Sequence, residues 1–270
     1  MRFEVTHTTR YDYSAPVREA HMELRVRPLD GCGQRVEDYR LDVRPAVRLG
    51  SYLDGFGNVV HYFDRLPPHE SLQIRSAAVV ETGIDVGPAL EALPPLDLLL
   101  FAPPVVDCAG GRRLARRIRL SEGADAEETH QAMLALTRLI AREFEYRPLS
   151  TRVQTAVDEV ISLGSGVCQD FAHLFIAIAR TLGVPARYVS GYVHDSAEPV
   201  VEGASHAWAE AYLPERGWTP YDATHPYTQR SHYVRVAVGR NYRDAAPTRG
   251  VFLGSATSAL DARVVIRVVV

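Results

Sequence analysis

Cysteine is scarce in this chain. Only Cys32, Cys108 and Cys168 occur, an odd set too small for a disulfide framework and with no C-x-x-C pair. That excludes a disulfide-stapled scaffold and predicts a reducing compartment, the cytoplasm. The ten histidines lack the paired spacings of a zinc site, and no segment reads as a calcium loop, so neither a metal nor another cofactor is expected. Long apolar runs are missing too. The stretch Leu96 to Val106 is too short to span a bilayer and holds two prolines, and the start Met1 to His7 has no apolar core of the signal-peptide kind. Neither export nor a membrane partner is expected. A net charge of −3 argues against a nucleic-acid partner. The basic run Arg112 to Arg117 is followed by Glu122, Asp125, Glu127 and Glu128 and reads as a solvated helix face.

What is present is an ordinary globular composition. With 270 residues, 46% hydrophobic and 23% charged, the chain can bury one large or two modest cores. Up to residue 85, apolar and polar residues alternate in bursts at Phe3-Val5, Met22-Val26, Tyr39-Val43, Val59-Phe63 and Leu72-Ile74, broken by Asp30-Gly31, Asp54-Gly55 and Gly57-Asn58. These predict an antiparallel β module over 1–85, with scaffolding or partner recognition as its role. Proline-punctuated segments, Leu90 to Pro95 and Phe101 to Pro104, read as a connector into a second domain over 86–270.

Helical periodicity predicts a helix after Gly111, a longer one from Ala126 to Phe144 and a short one over Asp158 to Leu163. The run Phe171, Leu174, Phe175, Ile178, Ala179, Leu182 predicts a buried helix opened by Cys168 and stopped at Gly183-Val184-Pro185. Strands follow at Arg187–Val193, Ala204–Leu213, Trp218–Asp222 and Tyr233–Val238, with a last one at Val264–Val270. Helices over about 110–183 and then an antiparallel sheet over about 186–270 make an α+β domain.

Most free cysteines are inert and buried, but the setting of Cys168 favours chemistry. Gly164 and Gly166 form a turn that delivers the thiol onto the first turn of a helix. Unpaired N–H groups and the helix dipole stabilise a thiolate there and can hold an oxyanion. A thiol nucleophile also needs a base. His206 fits, because in its strand His206, Trp208, Glu210 and Tyr212 share one face while Ala207, Ala209, Ala211 and Leu213 leave the other small enough for a helix to pack closely. Asp222, on the next strand, would orient the imidazole. Parity tests the pair: both point to one face only if opposed residue numbers sum to an even value, which a regular two-residue turn at Glu215-Arg216 would prevent. His173 reads as a residue that packs or bonds a backbone carbonyl, and His194 as a loop residue. His225 and His232 are alternative bases, and Trp208 is a candidate cleft wall.

These segments resemble the bacterial transglutaminase-like proteins, whose core has the papain-like fold of cysteine proteases. Gly166-Val167-Cys168-Gln169-Asp170-Phe171 and Ala204-Ser205-His206-Ala207-Trp208 are similar to the nucleophile and base segments, and Trp218 to Thr224 to the acid segment. His7 to Tyr13, Leu24 to Pro28 and Phe56 to Val60 resemble the family's amino-terminal β module. The chain departs from the family at Asp222-Ala223-Thr224-His225, where Asp-Pro-Thr-Asn is usual, and at Arg230-Ser231-His232, where an acidic residue often precedes the histidine. The resemblance implies Cys168 as nucleophile, His206 as general base and acid, Asp222 as orienting carboxylate, and Gln169 or Tyr146 as side-chain aids to the oxyanion hole. It implies an enzyme acting on peptide or protein amides through a thioester, by hydrolysis, with transfer to an amine or a non-enzymatic peptide-binding scaffold as alternatives. The oligomeric state is left open.

Overall fold

The computed structural model describes residues 1–64, 67–85, 95–226 and 229–269. The alternating amino-terminal sequence forms β1 (Arg2–Leu24), β2 (Gln34–Arg44), β3 (Gly50–Leu53), β4 (Val59–Phe63) and β5 (His69–Thr82), all antiparallel where they pair. β1 is one strand where the alternation predicts two. Its register against β5 shifts between Asp12 and Val17, and such irregularities bend a strand without ending it. Its first half therefore pairs with β5 and its second half with β4. Pro16, which has no N–H to donate, falls in the irregular stretch.

The expected connector at Leu90 to Pro94 lies outside the described residues. A 3-10 turn at Leu96–Leu99 leads to α1 (Ala109–Ala115), α2 (Ala126–Glu143), β6 (Glu145–Tyr146), α3 (Val157–Leu163), β7 (Ser165–Gly166) and α4 (Cys168–Thr181). Then come β8 (Ala186–Val193), β9 (Val200–Gly203), β10 (His206–Leu213), β11 (Gly217–Tyr221), β12 (Tyr233–Gly239), α5 (Tyr242–Ala245), β13 (Thr248–Leu253) and β14 (Ser258–Val268). The architecture is α+β, as expected. A four-stranded antiparallel sheet, ordered β11-β10-β8-β12, packs against α4.

The small face of β10 sets this packing. Ala207, Ala209, Ala211 and Leu213 share a core with Leu174, Phe175 and Ile178 of α4, which is walled in turn by Met133, Leu136 and Ile140 of α2. Each large aliphatic side chain fully buried there contributes about 1.5–3 kcal/mol, so α4 is held from several sides and its first residue is fixed in space.

One pairing differs from the sequence reading. The strand at the end of the chain, expected in the second domain's sheet, lies in β14, which pairs with β1 from Phe3 against Val268 to Tyr13 against Ser258. β9 joins the same sheet by pairing with β14, and β13 pairs with the second half of β1. Phe3, Val5, Val80, Val264 and Ile266 on that sheet share a core with Tyr192, Val234 and Val236 of the four-stranded one.

β12 is an edge strand, and an edge leaves backbone groups to be satisfied. Two amides of the amino-terminal module do this. Gln34 accepts from the Arg235 N–H at 2.8 Å and donates to its carbonyl at 2.9 Å. Asn58 does the same for Val238, at 2.8 Å in both directions.

Candidate active site

The segment around Cys168 is built by local chemistry. Gly164 ends α3 in the left-handed region at φ 63°, a conformation that suits glycine. Gly166 meets a closer constraint, since a β-carbon on it would stand 2.8 Å from the Asp170 Cβ. Val167 is the extended N-cap of α4, and the Asp170 carboxylate reaches back to accept its N–H at 2.8 Å, half of a capping box. The same oxygen accepts from the Thr151 hydroxyl at 2.6 Å. Burial raises the Asp170 carboxyl above the usual carboxylate range, and these two bonds oppose the shift. Cys168 is thereby presented, half-buried, at the first position of α4.

The structure brings Cys168, His206 and Asp222 together. Leu213 opposes Gly217 across a three-residue turn and Ala209 opposes Tyr221, so opposed numbers sum to an even value. Glu215 takes φ 62° and Gly217 φ 68° to close that turn. His206 Nε2 donates to Asp222 Oδ2 at 2.6 Å, with both side chains buried. Cys168 acts on the same imidazole, helping to raise its pKa, and with Nε2 engaged, Nδ1 is the nitrogen left for the sulfur.

Burial disfavours the charged ring of His206, yet the bonds to Asp222 and Cys168 and their charges prevail and raise its pKa to about 10. Asp222 is pulled the other way. Burial would raise it, but His206, the Thr224 N–H at 2.8 Å and the Tyr233 hydroxyl at 2.9 Å hold it below its ordinary value. The ring of His206 is further confined by Trp208, stacked at 6.0 Å, and by His225, edge-on at 4.9 Å.

The remaining sequence candidates divide. Tyr146 pairs with Gly166 through the short β6–β7 bridge. Burial raises its phenol above the ordinary range, with the charge of Cys168 adding to the effect, so it stands beside Cys168. Gln169 is turned elsewhere, its amide donating to the Val153 carbonyl at 3.2 Å. Trp208 is buried at 1% exposure, so its contact with the site is the stack on His206 rather than an open cleft surface. His173 is packed, 1% exposed against the Tyr188 ring; its Nε2 accepts the Tyr242 N–H at 3.1 Å, and burial lowers its pKa to about 3. His225 pairs with Asp195 at 3.0 Å and His232 with the His194 carbonyl at 2.6 Å.

Two contributors have no sequence signal. Tyr233 opens the far edge strand and reaches Asp222 only because the order β11-β10-β8-β12 folds it back. Thr151 lies in a loop with nothing to link it to Asp170. Among the described residues no group of three or more His, Cys, Asp or Glu side chains converges as a metal site would, and no helix is long and apolar enough to cross a membrane.

A sulfur at a helix start, an imidazole on it and a carboxylate behind can perform nucleophilic acyl transfer. Comparison with known proteins agrees in kind. Residues 112–223 match the model of the transglutaminase-like superfamily, and residues 3–81 that of the bacterial transglutaminase-like N-terminal region. An uncharacterized protein of Mycobacterium leprae is 33% identical, with 96% of each chain covered. The protein-glutamine gamma-glutamyltransferase of Pseudomonas aeruginosa is 32% identical over 42% of this chain and 18% of its own length. The solved structure of a "putative cysteine protease" from Cytophaga hutchinsonii superposes with a TM-score of 0.77 over 98% of this chain and 90% of that one, at 24% identity, a likeness of fold. Both halves of the sequence thus meet in one family, and the chain belongs to the transglutaminase-like superfamily, carrying the bacterial transglutaminase-like N-terminal region ahead of its core.

Proposed function

We propose that this protein is a cysteine amidase or peptidase that acts on peptide or protein amides through a Cys168–His206–Asp222 triad. In the first step the Cys168 sulfur attacks the amide carbonyl, a C–S bond forms, and the carbonyl electrons move to oxygen near the start of α4. The C–N bond then breaks as His206 gives its proton to the leaving nitrogen, so ammonia or an amine departs and a thioester remains. In the second step neutral His206 takes a proton from water, the oxygen adds to the thioester, and the sulfur leaves as thiolate beside the imidazolium. Asp222 keeps the ring oriented and its charge matched throughout.

The observation that carries this reading is the 2.6 Å His206–Asp222 contact, with Cys168 near enough to help raise the pKa of the same ring. A second reading, transfer to an amine, draws support from the name of the Pseudomonas relative. The sequence contains no lysine, all its strongly basic residues being arginine, so the protein cannot supply a side-chain amine to its own thioester. A glutamine-bearing peptide incubated with a fluorescent primary amine separates the two. Ammonia release without label in the peptide is the expected result; label accumulating in step with ammonia overturns hydrolysis in favour of transfer, and neither product argues for a scaffold.

A further inference from the structure

One edge of β13 is unused. β13 pairs with β1 on one side and, among the described residues, with no strand on the other. Its register fixes which backbone groups look outward. The Arg25 N–H donates to the Pro247 carbonyl at 2.8 Å, so that opposed pair is a hydrogen-bonded one, and Glu23 with Arg249 and His21 with Val251 repeat it along the ladder. Thr248 and Gly250, which fall between, therefore turn their N–H and C=O groups away from β1 and toward the open edge. No backbone partner among the described residues meets them there. Arg249 and Gly250 are exposed, and Val251 is 68% exposed. Such an edge is a ready template for a further strand.

A cavity of about 470 Å³ sits at the start of this edge, lined by Val153, Gln154, Tyr242, Arg243, Thr248 and Arg249 among others. It adjoins the start of α4 at two points. The amide of Gln169, next to Cys168, donates to the Val153 carbonyl at 3.2 Å, and His173, one turn further on, accepts the Tyr242 N–H at 3.1 Å. The lining holds two arginines and no acidic residue. Both arginines are exposed, and among the described residues neither guanidinium enters a hydrogen bond or an ion pair. The neighbouring acids are engaged elsewhere. Asp244 accepts from Arg240 at 2.8 Å, and Glu23, which feels the charge of Arg249, accepts from the Tyr52 hydroxyl at 2.8 Å and from Arg25 at 3.3 Å.

We infer that an extended acidic peptide docks here, adding a strand to β13 through Thr248 and Gly250 and placing its carboxylates on Arg243 and Arg249. Main-chain pairing supplies affinity in this mode of recognition and side-chain contacts supply selectivity. A second copy of the chain fits less well, because pairing on this edge would bring its own Arg249 close to this one, like charge against like. That the peptide is a substrate segment rests on the proposed cysteine chemistry; that it binds does not. Binding is therefore measured in the full chain carrying Cys168→Ala, where a failed binding test leaves the triad reading standing and a failed hydrolysis test leaves the docking reading standing.

The probes are dye-labelled Glu-Val-Glu-Val-Glu and Gln-Val-Gln-Val-Gln, followed by fluorescence anisotropy. The acidic peptide is expected to bind about tenfold more tightly at low ionic strength, with the advantage shrinking as salt is added. Arg243→Gln should weaken the acidic peptide by about fivefold and leave the glutamine peptide unchanged. N-methylation of two adjacent central amides, which blocks both edges of the peptide, should weaken it by about fivefold or more. Equal affinity of the two peptides, an acidic peptide indifferent to both Arg243→Gln and Arg249→Gln, or an N-methylated peptide that binds as well as its parent overturns the proposal. So does the absence of peptide binding alongside a dimer in analytical ultracentrifugation, which would give the edge to a second copy. The comparison of the two peptides needs no substitution at the groove and stands even if an arginine variant folds poorly.

Discussion

Replacing Cys168 by alanine is expected to lower kcat/KM for amide hydrolysis on the order of 10⁴-fold or more and to abolish the covalent intermediate. The size follows from what is removed. Without the sulfur no thioester can form, and what remains is the positioning of substrate at the start of α4, which alone retains only the residual catalysis seen when a triad loses its nucleophile. The fold should tolerate the change, because Cys168 is half-buried and the cap of α4 rests on Asp170, Val167 and Thr151. Melting temperature beside kinetics checks this: activity lost with the transition kept supports a chemical role, and a fall in both argues that the thiol was only packing.

Asp222→Asn is expected to cost on the order of 10³-fold in kcat/KM and to move the pH dependence in a defined direction. The His206 pKa is raised to about 10 because Asp222 and Cys168 outweigh burial. The imidazolium that donates to the leaving nitrogen therefore persists until the pH rises through about 10, and kcat/KM in the unsubstituted protein should fall on its alkaline side near there. Asparagine removes a charge and its amide nitrogen can only donate, so the pKa of the ring drops and the alkaline limb moves toward neutrality. The same shifts bear on stability. A group raised on folding stabilises fully below its unfolded value, about 6.5 for histidine, and loses that contribution as the pH rises through about 10. Asp222, lowered on folding, stabilises above the ordinary aspartate value and loses its contribution as the pH falls through the lowered one. The dyad should thus favour the fold most between the ordinary aspartate value and about 6.5, and Asp222→Asn should flatten both ends of the stability profile. NMR titration of the His206 ring in both proteins checks the direction, and an unchanged midpoint would contradict the coupling.

The half that carries Cys168, His206 and Asp222 was legible because its signals are local. Small residues on alternate positions of β10 mark the helix-facing side, apolar spacing marks α4, and the triad follows once a three-residue turn makes opposed numbers sum to an even value. What escaped depends on contacts far apart in sequence. Nothing near Val264 says that it will pair with His7, and nothing in Met1 to Arg18 shows that β1 survives its irregularities as one strand. Gln169 looked like an oxyanion aid by position, but its rotamer is set by the Val153 carbonyl sixteen residues away in a loop. Trp208 looked like a cleft wall because it shares a face with His206, and that face is the one the amino-terminal module covers.

The covering also gives the amino-terminal module a physical role. By pairing β12 through Gln34 and Asn58, it holds the strand that begins with Tyr233, and Tyr233 holds Asp222. The carboxylate of Asp222, the acid of the proposed triad, is therefore steadied from the opposite end of the chain.

The central claim is that the Cys168 sulfur and the His206 ring act as one acid–base unit, and the rate of Cys168 alkylation by iodoacetamide near neutral pH tests it most directly. With adducts located by mass spectrometry, Cys168 should react fast in the unsubstituted protein and at least tenfold more slowly in His206→Ala, because the imidazole no longer takes the thiol proton. Equal rates in the two proteins, or a Cys168 that stays unmodified in both, would contradict the account.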